Sequence, residues 1–139
     1  MDKSLLLSTE VKEFIKKHEA DNLSTLMLHR DKYPHLPLHD IVNQIISRKK
    51  AKLKLPLWYA MDAILYPYPV SIEQSSSELT AKWKAAFIGK GTKGIDLTGG
   101  FGVDSYYFAK NFKEWTHVEK NNDLLSVAQH NFKILGAEN

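Results

Sequence analysis

The stretch IDLTGGFGVD, residues 95–104, constrains the fold of this chain more than any other. Three of its glycines, Gly99, Gly100 and Gly102, follow an apolar and acidic lead-in, and a helical pattern begins directly after them. A strand that ends in glycines and turns straight into a helix gathers unpaired backbone N–H groups and the positive helix end at one point. A ligand can approach such a turn closely because no Cβ intervenes.

The flanking patterns extend this unit. KGIDLT reads as a short strand, GVDSYYFAKNF as a helix and EWTHVE as an alternating strand. NDLLSVAQHNFKILG reads as a helix capped by Asn121 or Asn122, with Leu124, Val127, Ala128, Asn131, Ile134 and Leu135 on one face and Gly136 as its stop. Strand–helix–strand–helix is the opening of a doubly wound parallel sheet.

Two carboxylates stand at the tips of these strands. Asp96 precedes the glycine turn, and Glu119 ends the second strand. A right-handed crossover brings both to the carboxyl edge of adjacent parallel strands. An acid at the second position can accept a hydrogen bond from each of two ribose hydroxyls. The spacing separates two kinds of nucleoside ligand. A dinucleotide turn wants a third glycine three residues after Gly102, where Ser105 stands, and a pyrophosphate would be repelled by Asp96. A nucleoside without phosphates and with a cationic amino-acid end meets no such repulsion. S-adenosylmethionine has that description, its amine held near Asp96 directly or through water. A nucleotide-dependent oxidoreductase is disfavoured on the same ground.

Upstream the chain is helical in character. STEVKEFIKKHEA is a helix capped by Ser8 or Thr9, and ADNLSTLMLHR is a second with Asp21 as a plausible cap. Leu38, Ile41, Val42, Ile45 and Ile46 begin a third that runs through SRKKAKLK and ends before Pro56. LPLWYAMDAILYPYPVSIEQ is too apolar for a free linker and too interrupted for one helix, so it is expected to pack across both halves. SSSELTAKWKAAFIGKG restarts the helical period, with Ser75 to Ser77 available as caps and Leu79, Trp83, Ala86 and Phe87 in a stripe. The expected architecture is α/β and mostly helical: a helical domain over residues 1–70, then the first half of a Rossmann-like domain over 71–139.

DLTGGFGVDSYYFAK followed by HVEKN resembles the first two motifs of the class I S-adenosylmethionine-dependent methyltransferases. EQSSSELTAKWKA is similar to the segment before the first motif in a bacterial branch that carries an N-terminal helical domain and a downstream THUMP-like domain suggestive of RNA. The resemblance implies cofactor contacts at Asp96, Thr98, Gly100, Gly102 and Glu119, and at Ser76, Ser77 and Thr80, which also serve as helix-capping candidates. It also implies a substrate-holding motif, Asn or Asp followed by two prolines and an aromatic, that has no counterpart here. The catalytic residues are therefore unidentified. The chain is expected to be an inactive part of a larger enzyme, whose incomplete sheet is hidden by self-association or by its helical half. The alternative is a non-catalytic helical module that binds nucleic acid or protein.

Charge and composition narrow the partners. The formal net charge is +3, and the excess lies in residues 1–70. SRKKAKLK holds Arg48, Lys49, Lys50, Lys52 and Lys54 with no acid, a candidate RNA patch and equally a basic run suited to a helix C-terminus. Trp58, Tyr59, Tyr66 and Tyr68 are read as packing aromatics rather than base-stacking ones. Cysteine is absent and the six histidines are scattered, so neither a thiolate chemistry nor a metal site is expected. No apolar run is long enough for a membrane span or a signal peptide, which makes a soluble cytoplasmic protein the expectation.

Overall fold

The computed structural model describes residues 3–137. Helix α1 (Lys3–Leu6) leads into α2 (Thr9–His18), whose Val11 N–H is accepted by the Ser8 hydroxyl. Helix α3 (Leu23–Leu28) is capped by Asn22, which accepts from the N–H groups of Ser24 and Thr25, and not by Asp21. Asp21 instead lies 2.6 Å from the His18 ring, one residue too early to reach those donors. A 3₁₀ turn (Arg30–Lys32) and the prolines at 34 and 37 separate α3 from α4 (Leu38–Lys54).

The aromatic connection is ordered. It forms two one-turn to two-turn helices, α5 (Pro56–Tyr59) and α6 (Pro69–Gln74), each with proline in its first turn, where the missing N–H costs nothing. Between them residues 64–67 lie buried as an extended strap held from both sides. Gln44 of α4 exchanges hydrogen bonds with the backbone of Tyr66, and Ser47 donates to the Pro67 carbonyl at 2.7 Å. From the other side Asn131 accepts from Leu65 N–H at 2.9 Å and donates to Leu65 C=O at 2.7 Å. Asn131 lies on the helix that follows the second strand, so the strap joins the helical half to the α/β half.

Helix α7 (Glu78–Phe87) begins at Ser77, whose hydroxyl accepts from Thr80 N–H. Strand β1 (Gly91–Asp96), helix α8 (Val103–Ala109), strand β2 (Phe112–His117) and helix α9 (Asn122–Ile134, capped by Asn121) complete the chain. The strands pair in parallel, Gly94 opposite Trp115 and Asp96 opposite His117, as a strand–helix–strand crossover requires. One apolar cluster runs from Leu6 and Val11 through Ile41, Ile45, Trp58 and Tyr66 to Phe101, Tyr106 and Val127. Trp58 is its hub, fully buried with its ring centroid 4.9 Å from that of Phe101.

The apolar stripe expected on α7 faces outward. Leu79, Trp83 and Phe87 are 79%, 64% and 72% exposed, while Ala81, Ala85 and Glu78 are buried. Two alanines let α7 lie close against α8, and the Glu78 carboxylate accepts from the N–H groups of Leu57 and Trp58, capping α5 from a distance. The strands also stay open, with Ile95 55% exposed. The helical half therefore does not cover the sheet. Among the described residues, no helix is long and apolar enough to cross a membrane.

Candidate cofactor-binding site

The turn after β1 has the shape its sequence asks for. Asp96 Oδ1 accepts from Thr98 N–H at 3.1 Å, closing the first bend. Gly100 (φ +56°) and Gly102 (φ +90°) take left-handed conformations, and Gly102 N–H reaches Gly99 C=O at 2.9 Å. Gly102 then opens α8. A Cβ there would stand 2.5 Å from the Phe132 ring of α9, whereas one at Gly100 would meet only the Thr98 carbonyl at 3.9 Å. One side of the turn is thus packed and the other open.

Glu119 lies across the turn from Asp96. Val118 N–H donates to Asp96 C=O and Gly99 N–H to Val118 C=O, each at 2.8 Å, so the ladder continues past the last strand residues. The Glu119 carboxylate accepts from Gly100 N–H at 3.0 Å and from Asn121 N–H at 2.8 Å. Both acids therefore flank the same turn at the carboxyl end of the sheet. Each Glu119 oxygen retains acceptor capacity, since a carboxylate offers about four lone-pair positions.

The segment before the turn divides. Ser76 donates to Asp104 Oδ2 at 2.8 Å in the first turn of α8 and receives a hydrogen bond from Lys84, which also pairs with Asp104 at 2.6 Å. This fastens residues 75–77 beside the helix that the glycine turn opens. Ser77 and Thr80 are engaged with one another, their hydroxyls 2.9 Å apart, in the cap of α7.

Two residues absent from the sequence-derived set join the site. Ser105 donates to Asp96 Oδ2 at 2.7 Å, and His117 Nδ1 lies 2.9 Å from the Ser105 hydroxyl. Burial pushes the His117 ring below the usual histidine range, with Asp96 and Glu119 pulling the other way. Ser105 carried a signal only as the residue standing where a dinucleotide turn has glycine. His117, on the inward side of β2 two residues before Glu119, looks in sequence like an ordinary strand residue. A Cβ on Gly99 would lie 2.1 Å from the His117 ring. Gly99→Ala is therefore expected to cost about 1–3 kcal/mol by overpacking, read as a lowered thermal midpoint.

The basic stretch does not present five free cations. Arg48 is largely buried, lies over the Tyr59 ring at 4.4 Å and sits 3.8 Å from Glu19. Lys50 pairs with Glu73, and Lys54 donates to the carbonyls of Ile72 and Glu73. Lys49 and Lys52 remain exposed on α4.

The solved structure of a "putative methyltransferase" from Porphyromonas gingivalis W83 matches this fold with a TM-score of 0.74 and 27% identity, over 96% of this chain. The chain has a methyltransferase-like fold. It spans 33% of the length of that protein. No family model matches the chain, and a search of curated proteins finds no match. The open glycine turn between Asp96 and Glu119 lies at the carboxyl end of the sheet in this fold.

Proposed function

We propose that this chain is part of a class I S-adenosylmethionine-dependent methyltransferase, of the bacterial branch with a helical N-terminal domain and a THUMP-like domain, acting on RNA. The observation that carries the reading is the pairing of Gly100 with Glu119: an open, left-handed glycine whose N–H is held by the acid that would take the ribose. Gly100 and Gly102 would admit the cofactor close to the backbone, Thr98 would shape the turn, and Asp96 would orient the methionine end. Ser76 would bring its segment alongside, while Ser77 and Thr80 contribute through the start of α7. The sulfonium supplies an activated methyl group, so the protein's task is to hold donor and acceptor in line. The chain lacks the Asn/Asp-Pro-Pro-aromatic motif, and no turnover is expected from it alone.

Titration with S-adenosylhomocysteine, followed by NMR or calorimetry, tests the reading. Saturable binding with shifts concentrated at residues 76–80, 96–102 and 119 supports it. No binding at millimolar ligand overturns it and favours the non-catalytic module, whereas protection against heat by NAD and not by the sulfur compound overturns it in favour of a nucleotide-dependent oxidoreductase. The RNA part has its own test. Lys49→Gln with Lys52→Gln is expected to weaken binding to a polyanionic RNA and to flatten its salt dependence by about two phosphate contacts. Unchanged affinity and slope would remove this patch from the RNA reading. The exposed β1 and α7 surfaces also support self-association of the chain, which sedimentation across a concentration series would reveal as a rising mass.

A further inference from the structure

Asp96 ends a chain of three side chains whose other two members, Ser105 and His117, have no part in the cofactor reading. Its Oδ2 accepts from the Ser105 hydroxyl at 2.7 Å, and that hydroxyl has one proton, so it can only accept from His117, whose Nδ1 lies 2.9 Å away. The reverse assignment would leave two oxygens 2.7 Å apart with no proton between them. The geometry thus assigns the Nδ1–H tautomer to His117. Its Nε2 is buried without a hydrogen-bond partner, as a bare acceptor nitrogen can be at less cost than a stranded N–H. The ring is fixed on its other sides too. It lies against Gly99, and its centroid stands 5.2 Å from that of Phe132, the same ring that backs Gly102.

We propose that Ser105 and His117 are positioning residues of the cofactor turn: together they fix the Asp96 carboxylate and brace Gly99, so that the remaining lone pairs of Asp96 face the cationic amino-acid end of the ligand. This rests on the proposed function above. Thr98 N–H and the Ser105 hydroxyl occupy one position on each Asp96 oxygen, which sets the carboxylate plane and leaves its other positions for an ammonium group. Without Ser105 the carboxylate is free to rotate. Without His117 the serine hydroxyl is free to turn away.

The test compares two ligands that share the nucleoside and differ in the amino-acid end, S-adenosylhomocysteine and 5′-methylthioadenosine. Ser105→Ala and His117→Leu are expected to weaken the first by about tenfold, the scale of one oriented hydrogen bond, and to leave the second unchanged. His117→Asn, whose amide N–H can stand in for Nδ1–H, is expected to restore affinity. Equal weakening of both ligands, or no weakening of either, overturns the proposal while leaving the cofactor reading in place. A wild-type chain that binds neither ligand overturns both. Nitrogen shifts of His117 give a ligand-free check: the Nδ1–H tautomer is expected, and an Nε2–H tautomer breaks the chain. If His117→Leu fails to fold, Ser105→Ala, which removes a single hydroxyl oxygen, carries the comparison on its own.

Discussion

Replacing Glu119 by alanine is expected to abolish detectable binding of S-adenosylhomocysteine, a loss on the order of a hundredfold or more. Two effects combine. On the proposed reading the carboxylate would accept from a pair of ribose hydroxyls, and each charge-assisted hydrogen bond is worth about 1.5–3 kcal/mol. The same group also holds the N–H groups of Gly100 and Asn121, so its removal loosens the turn that must receive the ligand. Glu119→Gln separates the contributions, because the amide keeps one acceptor oxygen and loses the charge, and it is expected to fall between wild type and alanine. Far-ultraviolet circular dichroism should be unchanged in both variants, since Glu119 lies outside the strands and helices. Retained affinity in the alanine variant would falsify the ribose role.

Asn131→Leu is the substitution expected to cost most in stability. The leucine shares the γ-branched outline of asparagine and is apolar, though bulkier, so it suits a mostly hydrophobic helix face while adding some overpacking. What is lost is the pair of bonds to Leu65, whose N–H and C=O are then buried without partners. Each orphaned group costs about 1–3 kcal/mol, and the sum is a large part of the ~5–15 kcal/mol that holds a typical domain together. Urea unfolding should show a strong fall in midpoint, with Gln129→Leu, on the exposed side of the same helix, as the control. A change below about 1 kcal/mol would mean that the strap finds other partners or opens to water.

The alternating strand and glycine patterns made the crossover unit readable, because a parallel pair joined by a helix admits few arrangements. Gly136 and Gly89, at positive φ, end α9 and α7 as their positions imply. Where local pattern and tertiary partner compete, the sequence misleads. Leu79, Trp83 and Phe87 have the spacing of a buried face, yet two alanines on the opposite side decide the packing, since closeness of approach to α8 outweighs side-chain size. Asn131 counted as a member of an apolar face, and its true part depends on a backbone segment 66 residues away. Gln44 and Ser47 are polar residues on an otherwise apolar helical face for the same reason. At the candidate site, the turn of Asp96, Gly100 and Gly102 was legible because turn geometry is local, and the placement of Glu119 beside it because a parallel crossover brings both strand ends to one edge. Ser105 and His117 were not, because their meeting depends on strand register, Asp96 opposite His117, which no single segment encodes.

The outward face of α7 gives the chain a built-in optical probe. Trp58 is sealed in the core at 0% exposure, and Trp83 is 64% open to water beside the Phe87 ring. Their emission therefore comes from different media, blue from the first and red from the second. Iodide is expected to reach Trp83 and not Trp58, so with the half-buried Trp115 replaced by phenylalanine anything that settles on α7 would announce itself as a loss of quenching while the sealed indole reports on the core beneath.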